Sequence, residues 1–292
     1  MKKILILLLV MLFSLAGCAN RETDKNITQS KENIQTNSST HSGSISQQNA
    51  DIQSDWVVIA LLDTGVSSTA ITSDHLLSGY NYVTNSYDTQ DLINHGTAVT
   101  SLILGCESAG VNGAAENAYI VPLVVVTKQN GENVSVSAEI LAKAIRDSID
   151  IYKADIINVS LGIQKDVPKL VEAVAYAEEK GVLVVSAVGN GGASGKTYYP
   201  AAYDTVLAVG SCDENGQKSD FSQSGSDILA KGEDIWLASR NGKTYGARGT
   251  SYATGFVSAE AAKLFINEPT LLPKELRDKI IQKAADLGGY LH

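Results

Sequence analysis

From residue 56 onward, apolar residues fall into short unbroken runs. Between the runs they recur every three or four positions. Trp56–Leu62 (WVVIALL) and Tyr119–Val126 (YIVPLVVV) are the longest runs, and Ile156–Val159, Val182–Val188 and Val206–Val209 are shorter. Runs of this length predict strands buried on both faces. The stretch 137–153 places Ile140, Leu141, Ala144, Ile145 and Ile149 on one helical face, and 168–180 does so with Leu170, Val171, Val174 and Ala177. Pro168 suits the start of the second helix and Gly181 its end. Further helices are predicted after His95, over 251–266 and over 273–286. Buried strands alternating with amphipathic helices predict an α/β fold of three layers, with a mostly parallel central sheet and helices on both faces. No internal repeat and no second linker interrupts 56–292, which is expected to be one domain.

The first 55 residues follow another pattern. Met1-Lys2-Lys3 precedes an apolar run from Ile4 to Gly17, 14 residues long. A hydrocarbon core needs roughly 20 residues, so the run is too short to span one. A basic start, a short apolar centre and small residues at the end predict a secretory signal peptide over 1–17. The ending Leu15-Ala16-Gly17-Cys18 resembles a bacterial lipobox, which implies lipidation of Cys18; an ordinary signal peptide with a chance cysteine is the alternative. Over 19–55, Ser, Thr, Asn and Gln fill 21 of the 37 positions and there is no aromatic residue. Such a segment buries too little apolar surface to offset its ordering entropy. It is expected to be a flexible tether, so that 18–55 joins a lipid anchor to the domain. A lipid-anchored protein at the cell membrane, facing outside the cytoplasm, follows.

Composition narrows the function. The 292 residues carry 23 Lys and Arg against 32 Asp and Glu, a formal charge of −9. An acidic chain is a poor general nucleic-acid binder. Three cysteines build neither a disulfide scaffold nor a four-thiolate zinc site.

Three short motifs carry candidate chemistry. Asp63-Thr64-Gly65 ends the first strand, where α/β folds place functional groups; a plain turn is the alternative. The same tripeptide marks aspartic proteases, but those need two such carboxylates, and here there is one. His95-Gly96-Thr97 opens a predicted helix. Of the four histidines, His41 lies in the tether and His292 is the last residue, so His95 is the best-placed general base. Gly249-Thr250-Ser251-Tyr252-Ala253 leads into a helix rich in small residues. Ser251 there is either a nucleophile favoured by the helix dipole or an N-cap.

A serine hydroxyl needs an imidazole to take its proton, and the imidazole needs a carboxylate to orient it. The order Asp63, His95, Ser251, with gaps of 32 and 156 residues, is the order found in subtilisin. On these motifs residues 56–292 resemble the subtilisin-like serine proteases, the subtilase family. The resemblance implies a subtilisin-like fold and serine endopeptidase activity on peptides or proteins. It implies Asp63 as orienting group, His95 as base and then acid, and Ser251 as nucleophile. Ala187-Val188-Gly189-Asn190-Gly191 resembles the family's oxyanion segment, with Asn190 as donor. Asn158-Val159-Ser160-Leu161-Gly162 resembles the segment that pairs with extended substrate. Ser160, Leu161, Gly162, Gly189 and Tyr198 would then line the substrate site. Tyr199-Pro200-Ala201 and Phe221-Ser222 match as supporting segments.

Several departures stand out. Tyr252 and Gly255 replace residues that are usually Met and Pro. Tyr198 stands where many members have a small residue, which implies a shallow pocket for small P1 side chains. Gly105–Gly113 (GCESAGVNG) lies where many relatives bind calcium, but it is about one residue short and holds one carboxylate, Glu107. No cofactor is expected to be required, and structural calcium is not supported. The tether is too short and polar for the usual inhibitory prodomain, so folding without one is expected. Cys106 and Cys212 are expected to be two free thiols. The segment 127–136 is expected to form an edge facing substrate. A monomer is expected, with no nucleic-acid partner. Substrate choice stays open between processing of exported precursors, such as bacteriocin leaders, and general degradation of surface proteins. The functional alternative is a catalytically silent subtilisin-like lipoprotein that binds peptides or proteins. A lipase would need a second glycine after Ser251 and the order Ser, Asp, His.

Overall fold

The computed structural model describes residues 56–72, 74–129, 132–134 and 136–291. The expected leader, Cys18 and the tether lie outside the described residues.

Strands β1 (Val57–Asp63), β2 (Tyr80–Asn81), β3 (Gly105–Cys106), β4 (Val111–Asn112), β5 (Ala118–Val124), β6 (Thr127–Gln129) and β7 (Glu132–Val134) make up the first part of the chain. They are followed by β8 (Ile156–Val159), β9 (Leu183–Ala187), β10 (Leu207–Cys212), β11 (Ile228–Lys231), β12 (Ile235–Ala238), β13 (Thr244–Ala247) and β14 (Tyr290–Leu291). The helices are α1 (His95–Leu104), α2 (Ala138–Asp150), α3 (Pro168–Glu179), α4 (Thr250–Asn267) and α5 (Pro273–Asp286).

Eight strands form one sheet in the order β14-β11-β10-β9-β8-β1-β5-β2, and every pairing in it is parallel. The small strands pair as antiparallel hairpins, β3 with β4, β6 with β7 and β12 with β13. Successive β1 residues serve opposite faces, as strand geometry requires. Val57, Ile59 and Leu61 pack with α1, α4 and α5 residues such as Val99, Val257 and Leu276. Val58, Ala60 and Leu62 pack with α2 and α3 residues such as Leu141, Ile145 and Leu170. The three expected layers follow from this division.

Local signals set the helix ends. The Ser137 hydroxyl accepts the Ile140 N–H at 3.2 Å and caps α2. Pro168 and Pro273 occupy the first turns of α3 and α5. Strands β11 to β14 were not foreseen: β11 alternates buried and half-buried residues, and β14 has two residues. On one side of β1 lie β5 and then β2 at the edge; after β5 the chain crosses to the other side and adds β8, β9, β10, β11 and β14 outward. The carboxyl ends of β1 and β8 therefore meet at the switch point where parallel α/β sheets open a crevice.

Candidate active site

Asp63 closes β1 and is fully buried. Its Oδ1 accepts the Thr64 N–H at 2.7 Å and the His95 Nδ1–H at 2.7 Å. Its Oδ2 has no hydrogen-bond partner among the described residues. His95 opens α1, with 29% of its side chain exposed. Gly96 must be glycine, because a Cβ there would stand 2.2 Å from the Gly65 carbonyl oxygen. Helix and strand end can therefore approach closely enough for the His95–Asp63 contact. Burial alone would lower the His95 pKa. The Asp63 charge and hydrogen bond, with the Asp91 charge behind them, outweigh it and raise the pKa above the ordinary 6.5.

Asp91 was not singled out from the sequence, yet it organises this corner. Its buried carboxylate accepts from the Thr64 hydroxyl at 2.9 Å and from the backbone N–H groups of Ile93 and Asn94 at 2.9 and 2.7 Å. The other oxygen accepts the Thr97 N–H and hydroxyl at 2.9 and 2.7 Å. The Thr64 hydroxyl oxygen in turn accepts the Gly96 N–H at 2.9 Å. One carboxylate thus ties the residue after Asp63 to the residues after His95. The available signal was an acidic residue just ahead of a helix start.

Ser251 lies in the first turn of α4, whose N-cap is Gly249, so Ser251 is not the cap. Its neighbour Tyr252 brings a ring to 5.6 Å from the His95 ring. The Ser251 hydroxyl donates to the Ser160 carbonyl at 2.8 Å, so its proton is not given to His95 in this conformation. A chain of contacts fixes Ser160. Ser258 donates to Asn158 Oδ1 at 2.9 Å, Asn158 Nδ2 to the Ser160 hydroxyl at 2.9 Å, and that hydroxyl to the Ser251 carbonyl at 3.0 Å.

Asn190 follows β9. Its Oδ1 accepts the Thr250 N–H at 3.0 Å and the Thr250 hydroxyl at 2.9 Å. Both contacts fix the carboxamide by its oxygen, with Nδ2 beside Gly249 at the mouth of α4. Thr250 is the second residue whose part was missed; only the folded arrangement brings it to Asn190.

Gly189 has φ 109°, and a Cβ there would stand 2.2 Å from Gln223 Oε1 and 3.1 Å from Tyr198 Cδ2. A Cβ on Gly162 would stand 2.8 Å from Tyr198 Cβ. Tyr198 therefore fills the space between the two glycines that the sequence placed in the pocket. Ile163 and Tyr199 exchange backbone hydrogen bonds at 2.8 Å each, which locks these walls together. Leu161 lies between Ser160 and Gly162 and is half-buried.

Residues 105–113 fold as the β3–β4 hairpin around a single 3-10 turn. Among the described residues no group of three or more His, Cys, Asp or Glu comes together there or elsewhere. The residues present do not fit a carboxylate-rich calcium cage. Cys106 and Cys212 are both free.

The sequence signature of the subtilase family matches residues 54–291. The chain belongs to the subtilase family. This subtilase is 35% identical over 237 residues to a thermophilic serine proteinase of Bacillus sp. (strain AK1), covering 79% of this chain and 57% of the relative. It thus spans little more than half the length of that relative. Among solved structures, the S41 psychrophilic protease superposes with a TM-score of 0.71 at 27% identity, covering 80% of this chain and 84% of the other. The prenylagaramide maturation protease PagA superposes with a TM-score of 0.65 at 29% identity, covering 82% and 87%. The subtilisin-like three-layer fold expected from the motifs is the fold found.

Proposed function

We propose that this subtilase is a serine endopeptidase, with Asp63, His95 and Ser251 as its triad and Asn190 as oxyanion donor. The observation that carries this reading is the 2.7 Å contact from His95 Nδ1 to buried Asp63, with the ring of Tyr252, the residue after Ser251, 5.6 Å from the imidazole. The Ser251 hydroxyl turns from the Ser160 carbonyl to His95 Nε2, gives up its proton there, and its oxygen attacks the scissile carbonyl carbon. The resulting oxyanion takes hydrogen bonds from Asn190 Nδ2 and the Ser251 backbone N–H, which has no intrahelical acceptor in the first turn. His95 then gives the proton to the leaving amine. Water repeats the sequence on the acyl-enzyme.

The test is fluorophosphonate labelling of the purified protein, read by mass spectrometry beside Ser251→Ala. One adduct on Ser251, absent from the variant, is the expected result. A folded protein that takes no label would favour a silent peptide-binding role instead.

We further propose cleavage after small P1 residues, because Tyr198 occupies the space beside Gly162 and Gly189. Tyr198→Gly is expected to raise kcat/KM for Phe or Leu at P1 at least tenfold, with little change for Ala. A wild-type enzyme that already prefers Phe over Ala would overturn this. Processing of exported precursors is the proposed setting, supported by the likeness to a maturation protease. An exported enzyme held by lipid on Cys18 follows from the leader pattern, and Cys18→Ser is expected to release it from the membrane fraction.

A further inference from the structure

Asn190 stands between two neighbourhoods. On one side, Gly189 adjoins Tyr198, which reaches Gly162 and the strand expected to hold the acyl half of a substrate. On the other side, the Gly192 N–H donates to the Phe221 carbonyl at 2.8 Å. The Arg248 guanidinium lies over the Phe221 ring, 5.5 Å from its centre. Arg248 is also three residues before Ser251, on the segment that leads from β13 into α4. It is exposed.

Its place three residues before Ser251 and the ring beneath it set this arginine apart. The chain is acidic overall, at −9. Some lysines, such as Lys143 and Lys283, have carboxylate partners, and others, such as Lys165 and Lys218, have none within 4.0 Å among the described residues. No ion pair within 4.0 Å joins Arg248 to a carboxylate among the described residues, and Asp220, next to Phe221, is no exception. Arg240, the other arginine near the cleft, is occupied otherwise: its guanidinium donates to the Leu92 carbonyl at 3.2 Å. The Phe221 ring supports the Arg248 guanidinium by a cation–π contact, so less side-chain freedom is lost when a ligand binds. A planar guanidinium with its donors free matches one chemical group best, a carboxylate held by two parallel hydrogen bonds.

We propose that Arg248, seated on Phe221, is a binding site for a carboxylate on the leaving side of the cleaved bond. Preferred substrates then carry Asp or Glu within the first three residues after that bond. This inference rests on the proteolytic reading above and adds a substrate class to it. The Lys-bearing competitor is disfavoured by the same charge that attracts the acidic one, so discrimination is larger than either effect alone.

The experiment compares peptides that differ only in those three positions, carrying Glu, Gln or Lys, with amidated C-termini. A second set ends two residues after the bond with a free carboxylate, which separates a terminal carboxylate from an acidic side chain. Each set is cleaved by the wild type, Arg248→Gln and Arg248→Glu, and the Glu-to-Lys ratio of kcat/KM is read within each enzyme. Reading a ratio makes the result independent of how much of each variant is active. The wild type is expected to favour Glu, or the free terminus, by about tenfold at one position at low salt, with the preference shrinking as salt rises. Arg248→Gln is expected to bring the ratio near one and Arg248→Glu to invert it. A wild-type ratio near one at all positions and at the free terminus, or a ratio that survives both substitutions, would overturn the proposal while leaving the protease reading intact. Failure of all three enzymes to cleave any peptide would remove both.

Discussion

In the proposed mechanism His95 acts as a base only when neutral, and its surroundings make that state harder to reach. Asp63 and, behind it, Asp91 hold the imidazolium well enough to raise its pKa despite burial. Activity should therefore rise with pH through a midpoint above 6.5, the ordinary value. Asp91→Asn removes one of the two negative charges, so the acid limb of kcat/KM should move to lower pH. The same change leaves an amide facing donors that a carboxylate satisfied, so kcat should fall, by about tenfold, with KM little altered. A variant with lower kcat and an unmoved acid limb would reduce Asp91 to scaffolding. Asp63, His95, Ser251 and Asn190 are the candidates the sequence offers, because each sits in a short motif. Asp91 and Thr250 are not among them. Their contacts reach Thr64 and Asn190, 27 and 60 residues away in sequence, and no local pattern encodes such a meeting.

Among the elements, β8 carries an unusual acid at its entrance. Asp155 precedes Ile156 and accepts the Val58 N–H of β1 at 2.9 Å. Burial pushes its pKa up from 3.8 to about 6, against the opposing effect of that hydrogen bond. The folded protein therefore holds the Asp155 proton more tightly than the unfolded chain does. Its contribution to stability is full below pH 3.8 and is lost as pH rises through 6. Asp155→Asn keeps an acceptor for Val58 and removes the ionisation. It should stabilise the fold by about 1–2 kcal/mol at pH 8, roughly 2–4 °C in Tm, and have little effect at pH 4. Thermal unfolding at the two pH values checks this. The buried strands β1, β5, β8, β9 and β10 were read from their unbroken apolar runs. The β12–β13 hairpin escaped because Trp236 is exposed and Gly246 lies opposite it, so no continuous or alternating run marks it.

Across the described part of the molecule, stability rests on packing without covalent cross-links. Two apolar clusters sandwich one parallel sheet, and neither Cys106 nor Cys212 is bridged. Both thiols are buried, Cys106 donating to the Ala70 carbonyl at 3.2 Å and Cys212 fully enclosed in β10. Burial, with the charges of Asp213 and Glu233, pushes the Cys212 thiol up to about 12, so it is a poor nucleophile at neutral pH. Reductant should leave Tm unchanged, and thiol reagents should modify Cys106 and Cys212 only as fast as the fold opens. Rapid modification of either in the native protein would contradict the packing described.

The resting position of Ser251 bears on how this enzyme should be assayed. One carbonyl, on Ser160, holds the serine proton, and a peptide laid along Ser160–Gly162 in the proposed mode would offer that carbonyl an amide N–H of its own. Peptide and serine are then rivals for a single acceptor, and a bound peptide sets the serine free. Small electrophiles that lack an amide N–H bring no such rival. They should label Ser251 more slowly than electrophiles carried on a peptide that reaches Ser160, so reactivity toward small reagents understates what the enzyme does to a chain.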